Sequence, residues 1–274
     1  MPKKPFTLQQ AADKLGVHYM TVYRYVRTGK LPATRVGGAW QVDPDDLAGM
    51  KSVWPRDTPS RATATKAQLE ARLLAGDEPG SWGVLEAALG SDRTPSEVLL
   101  QLIGPALESI GDRWHDGELS VADEHVASAV AMRLISRIGA RFGHRGPKRG
   151  SVVVTTPPNE QHAAPVAIAA DLLRWAGFNV IELGADTPAD ALLGVAGSLP
   201  DLLAVAIACT TRTSTSSARR VIAHLRTALP GATMLLGGAA ITDADYARRL
   251  GADGFSGKRG DELVRAVEEL AAAR

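Results

Sequence analysis

The chain has 274 residues, 45% of them hydrophobic and 22% charged, with a net charge of +1 and a single cysteine, Cys209. Such a length suits two or three domains and the composition excludes a largely disordered chain, while one cysteine excludes a disulfide framework and an all-cysteine metal site. No apolar window reaches membrane-spanning length and no leader-like run follows the N-terminal lysines, so a cytoplasmic protein is expected.

The near-neutral total hides a split. Residues 1–66 hold eleven Lys or Arg against five Asp, a net +6, and the remainder nets −5. A basic head on an acidic body predicts a nucleic-acid-binding module at the front of the chain. In residues 1–50, Thr7 can cap a helix whose apolar positions Ala11, Ala12 and Leu15 follow helical spacing, with Gly16 ending it. A second helix is expected from about Tyr19 to Thr28, which makes a helix-turn-helix. The segment "LPATRVGGAWQVDPDDL" then alternates and turns at Gly37-Gly38, as a two-stranded wing would, before Pro44 opens another helix.

The head resembles the small winged helix-turn-helix of the excisionase type and, more distantly, that of the MerR family. "VYRYVRTGKLP" lacks the Arg-aromatic-aromatic-Glu run of the latter. The resemblance implies that Tyr19, Thr21, Arg24 and Tyr25 face a DNA groove and that Arg27, Lys30 and Arg35 meet phosphates. A small helical docking module is the competing reading, and the basic excess and the Gly-Gly turn weigh against it.

Residues 51–67, rich in Pro, Ser, Thr and Ala, read as a linker. Residues 68–143 give four helical stretches separated by "GDEPGS", "GSDRTPSE" and "HDGELS", which predicts a four-helix bundle. From residue 150 to 274 five apolar runs alternate with Ala- and Leu-rich helices, the pattern of a doubly wound parallel sheet. Ligands on such sheets sit at the carboxyl ends of the strands, here the loops after Thr156, Gly184, Cys209, Gly238 and Phe255.

The first of those loops presents His162 just before a helix, with Glu160 two residues earlier to orient the ring. Four-ligand zinc spacings are absent, and one His suffices only for a metal that arrives in its own macrocycle. Residues 68–274 resemble the cobalamin-binding module of methionine-synthase type, a helical cap followed by a flavodoxin-like domain. That family's loop reads Asp-x-His-x-x-Gly, or Glu-x-His-x-x-Gly in a transcriptional branch. Here "EQHAAP" keeps Glu160 and His162 and has Pro165 in place of Gly. The resemblance implies that His162 is the lower cobalt ligand. It also implies that Cys209 and Thr210, where the family has a Ser-rich loop, and Gly237 and Gly238 flank the buried nucleotide tail.

The stretch "IGDRWHDGELSVADEH" places Trp114-His115 at one helix end, Gly117 as its terminator, and Glu124-His125 about a turn into a helix begun by Ser120 and Asp123. Taken singly these are a core Trp, a Glu at a helix dipole and a satisfied His. Their spacing matches the CarH-type light-sensing repressors, whose cofactor is adenosylcobalamin. On that resemblance Trp114 packs over the upper face, Glu124 and His125 meet the adenosyl sugar and its surroundings, and His115 becomes the upper cobalt ligand after light. His18, His144 and His224 fall outside the pattern and are expected in solvent.

The resemblance therefore implies a multidomain photoreceptor and transcription regulator. It would be a repressor without turnover, assembled as a homo-oligomer, commonly a tetramer in the dark, and released from duplex DNA by light. Two alternatives remain open: a corrinoid carrier protein for methyl transfer, and a cobalamin-binding regulator whose signal is not light.

Overall fold

The computed structural model describes residues 5–15, 22–23, 25–26, 31–47, 65–91, 93–141 and 146–273. They fall in two compact units, Met1–Arg61 and Ala62–Arg274. In the first, β1 (Phe6–Thr7) leads into α1 (Leu8–Leu15). Thr7 caps α1 as its sequence promises: its hydroxyl accepts from Gln10 N at 3.2 Å, and Gln10 Oε1 accepts from Thr7 N at 3.0 Å. β2 (Thr34–Val36) and β3 (Ala39–Val42) form an antiparallel hairpin across Gly37 and Gly38, whose φ values of 58° and 87° need residues without a side chain. β1 pairs with the other side of β3, giving the order β1-β3-β2. Leu8, Ala11, Val22, Val26, Val42 and Leu47 close a small core. Of the expected second helix, residues 22–23 and 25–26 are described, and they are helical.

The second unit starts earlier than composition suggests. A reciprocal cap between Thr65 and Gln68 begins α2 (Lys66–Leu74), so Lys66 and Ala67 belong to a helix and not to the linker. α3 (Glu78–Leu89) is capped by Asp77, whose carboxylate accepts from Gly80 N at 2.8 Å. Four of the six residues of the expected "GDEPGS" connection, Glu78 to Ser81, are thereby helical. The third helical stretch is continuous but irregular: α4 (Pro95–Val98) runs through a π-turn (Leu99–Ile103) into α5 (Gly104–His115). Pro105 explains the irregularity. It has no N–H for a bond four residues back and its ring crowds that carbonyl, so the preceding Gly104 N–H reaches five residues back to Leu99 O. α6 (Val121–Arg141) starts at the Ser120–Asp123 pair, each accepting from the other's backbone N–H at 3.2 and 2.9 Å.

The sheet that follows has β4 (Ser151–Thr155), β5 (Asn179–Gly184), β6 (Leu202–Ala208), β7 (Thr233–Gly237) and β8 (Gly254–Phe255), all parallel, in the order β5-β4-β6-β7-β8. Helices α7 (Ala163–Trp175), α8 (Ala189–Gly197), α9 (Ser214–Ala228), α10 (Ala244–Arg249) and α11 (Gly260–Ala272) connect or follow the strands. Strand residues alternate between two cores, with Val152, Val154 and Ala204 packed under α7 and α11, and Val153, Val205 and Ile207 under α8, α9 and α10. The outer side of α7 contributes Ala167, Ile168 and Leu172 to the core of the four helical segments, so those segments sit on the sheet domain through α7. The chain reverses its direction of travel across the sheet at β4, which makes the gap between the β4 and β6 loops the switch point where ligands bind. Among the described residues no helix is long and apolar enough to cross a membrane.

Candidate functional site

His162 occupies the N-cap of α7, at the carboxyl end of β4 and beside the β6 loop. Pro165 falls in the first turn of α7, where a missing N–H costs the helix nothing. The base of the site is Glu160, a carboxylate 1% exposed. One of its oxygens accepts from His162 Nδ1 at 2.5 Å, and the other accepts from Thr210 N at 2.9 Å, Thr211 N at 2.9 Å and the Thr211 hydroxyl at 3.0 Å. Thr210 Oγ1 lies 2.8 Å from the same Nδ1. Burial works to raise the pKa of Glu160, but the hydrogen bonds from His162, Thr211 and Thr210 outweigh it and hold the carboxyl far below its usual range. Its bond to Glu160 raises the pKa of His162, burial opposes that shift, and the charges of Glu160 and Glu124 add to it.

The chemical result is a directed imidazole. An ionised Glu160 keeps Nδ1 protonated, so Nε2 is the nitrogen left to a proton or a metal, on a side chain still 49% exposed. Among the described residues no group of three or more His, Cys, Asp or Glu could hold a bare ion. This donor set fits a metal bringing all its other ligands, as a corrin-bound cobalt does: one neutral nitrogen, held from behind by a buried carboxylate, at the switch point of the sheet.

The remaining sequence candidates divide. Trp114 lies in the last turn of α5 with 42% of its surface exposed, His115 beside it is exposed, and Gly117, at φ 78°, turns the chain toward α6. Glu124 is held by Ser128 Oγ at 2.5 Å and by His125 Nδ1 at 2.9 Å, with His125 itself exposed. Of these four, Glu124 is the one whose charge registers at His162. Cys209 is wholly buried in the core under α9, and burial pushes its thiol up to about 11. Gly237 and Gly238 answer to the protein's own packing: a Cβ would stand 2.4 Å from Gly257 O at the first and 2.4 Å from Cys209 O at the second. His224 pairs with Asp190 at 3.0 Å on the surface. Thr211, absent from the sequence candidates, proves to be a second anchor of Glu160, and a hydroxyl next to a strand end was the available signal.

In the first unit, Arg35 is exposed beside the hairpin turn, where its Nε donates to Gly38 O at 3.1 Å. Tyr25 is half-buried against the small core, so packing takes part of the ring expected to face DNA. Tyr19, Thr21, Arg24, Arg27 and Lys30, like His18 and His144, lie outside the described residues.

Comparison with known proteins matches three stretches of the chain. Residues 65–138 and residues 150–268 each match a family described as "B12 binding domain", and residues 6–50 match a "Helix-turn-helix domain". The chain is 31% identical over 188 residues to the "HTH-type transcriptional repressor CarH" of Myxococcus xanthus, an alignment spanning 68% of this chain and 61% of that protein. It is 27% identical over 197 residues to the "Dimethylamine corrinoid protein" of Methanosarcina barkeri, spanning 69% of this chain and 89% of that one. In structure it resembles the monomethylamine corrinoid protein of Methanosarcina barkeri, with a TM-score of 0.65 at 14% identity over 74% of this chain and 96% of the other, a likeness of fold. The chain thus joins a helix-turn-helix domain at residues 6–50 to a pair of B12 binding domains at residues 65–138 and 150–268.

Proposed function

We propose that the chain is a cobalamin-dependent transcription regulator, most specifically a repressor that binds adenosylcobalamin and releases DNA in response to light. The observation that carries the reading is the His162–Glu160 pair at the switch point, with its free Nε2, in a chain that also has a helix-turn-helix domain. In this reading His162 Nε2 would hold the cobalt. Glu160, anchored by the Thr210 and Thr211 amides, keeps the ring in the tautomer that leaves that nitrogen available. Trp114 would pack against the bound cofactor, and Glu124 with His125 would hold its adenosyl sugar. When bound, adenosylcobalamin would supply a cobalt–carbon bond that light breaks. His115 would be the side chain available to hold the cobalt once that bond is broken.

The four helical segments act as the cap and the β2–β3 hairpin as the wing of a winged helix-turn-helix. In the dark the protein is a homo-oligomer, a tetramer in this reading, whose several heads hold duplex DNA together and gain affinity by effective concentration. Light shifts that population and frees the DNA, and no turnover is required.

The test is an absorbance spectrum of protein loaded in the dark with adenosylcobalamin, taken before and after green light, with size-exclusion traces of both. A stable photoproduct together with a change of oligomer size is expected. His162→Ala should lose the lower ligand in the dark spectrum, and His115→Ala should leave the dark form intact and destabilise the photoproduct. Binding without photochemistry would leave a regulator with another signal, and no binding would remove the cofactor. A second reading, a corrinoid carrier for methyl transfer, draws on the 89% coverage of the dimethylamine corrinoid protein. Absence of duplex DNA binding would favour it.

A further inference from the structure

Asp186, in the loop after β5, is exposed and lies outside every pattern used so far, yet both of its carboxylate oxygens point into the segment that carries His162. Oδ1 accepts from Asn159 N at 2.7 Å and Oδ2 accepts from Gln161 Nε2 at 3.0 Å. Its own backbone N–H donates to Thr156 Oγ1 at 2.9 Å and to Glu160 O at 3.0 Å, and the Thr156 hydroxyl in turn donates to Glu160 O at 2.6 Å. Asn159 and Asp186 are the two non-glycine residues with positive φ among the described residues, at 68° and 55°. They face each other across this clasp. Asn and Asp are among the side-chain-bearing residues that adopt a left-handed backbone most readily, and here the surrounding bonds hold both in it.

His162 is therefore held from two sides by different means. Glu160 fixes the ring from the β6 loop through Thr210 and Thr211, while Asp186 fixes the backbone of residues 159–161 from the β5 loop. Removing the second hold leaves the ring its carboxylate partner but frees the peptide units on which both side chains stand. Order already present before a ligand arrives need not be created on binding.

We propose that Asp186 is a positioning residue for the lower imidazole: it presets the Asn159–Gln161 segment so that His162 Nε2 is presented in the ligand-free protein. The proposal rests on the cobalamin reading of His162. Asp186→Gly removes the carboxylate while tolerating the left-handed backbone, Asp186→Asn keeps one acceptor oxygen, and Gln161→Ala removes one leg only. Amide hydrogen exchange in the ligand-free, full-length protein should rise at least about tenfold across residues 159–162 in Asp186→Gly and stay unchanged in the β6 loop. Hydroxocobalamin affinity should fall about tenfold, the worth of one charge-assisted hydrogen bond. With the bound cobalt reduced to Co(II), the electron paramagnetic resonance signal should show less of the splitting from 15N-labelled histidine. Gln161→Ala should give a smaller effect of the same kind, and Asp186→Asn should restore part of the loss. Wild-type loading with unchanged exchange, or unchanged affinity and splitting, in Asp186→Gly would overturn the positioning role. Failure of the wild-type chain to take up hydroxocobalamin would overturn the cofactor reading and with it the ligand that Asp186 serves.

Discussion

At the end of β6, Cys209 and Thr210 are neighbours with opposite fates. The thiol turns into the core and is pushed up to about 11 by burial, while the hydroxyl lies beside the His162 ring. Since the thiolate is the reactive form, a maleimide should label native protein at pH 7 to 8 orders of magnitude more slowly than the unfolded chain, with the rate rising as pH rises. Rapid labelling of folded protein would contradict the packing. The same pair shows what was legible in single residues. A Glu two positions before a His beyond a strand announces an oriented imidazole, so Glu160 and His162 could be read directly. Thr211, Ser128 and Asp186 could not, because hydroxyls, amides and exposed carboxylates are common and only the approach of two or three loops gives them partners.

Between elements, α6 packs closely on α7. A Cβ at Gly139 would stand 2.2 Å from Asp171 Oδ2, and Asp171, 7% exposed, is tied to Arg174 at 3.0 Å. Gly139→Ala should therefore lower stability by about 1–3 kcal/mol, and Asp171→Ala in the same chain should return part of the loss in a double-mutant cycle of denaturant midpoints. Burial raises the pKa of Asp171 against the pull of Arg174. A raised carboxyl binds its proton more tightly folded than unfolded, so the stability it contributes is present in acid and is lost as pH rises through the folded pKa. Asp171→Asn should accordingly gain on wild type as pH rises above the ordinary carboxylate range, seen as a widening difference in Tm. Caps and terminators such as Ser120, Asp123 and Gly117 were legible because a helix end is a local problem with few solutions. The π-turn was not, although Gly104-Pro105 inside an apolar helical run was its signal: whether a proline kinks, ends or bulges a helix is decided by packing on both sides.

At the scale of the molecule, the two units carry opposite charge, and the helix-turn-helix match covers residues 6–50 of the first. The full chain should bind duplex DNA with an affinity that falls linearly in log salt. Arg35→Ala should reduce that slope by about 1 and weaken all sequences alike, as the loss of a phosphate contact does. An unchanged slope in a binding titration would take Arg35 off the backbone. The parallel sheet was legible because strand-helix alternation is an average over many residues, whereas strand order depends on contacts far apart in the chain. One surface feature has a further use. Among the described tryptophans, Trp40 and Trp175 are half-buried and Trp82 is 5% exposed, whereas Trp114 stands 42% in water. An indole in water emits at longer wavelength than one in a core, and a chromophore laid against it drains that emission. The ligand-free chain thus carries its own optical gauge near the end of α5, and the difference in fluorescence between wild type and Trp114→Phe would report occupancy there without any added label.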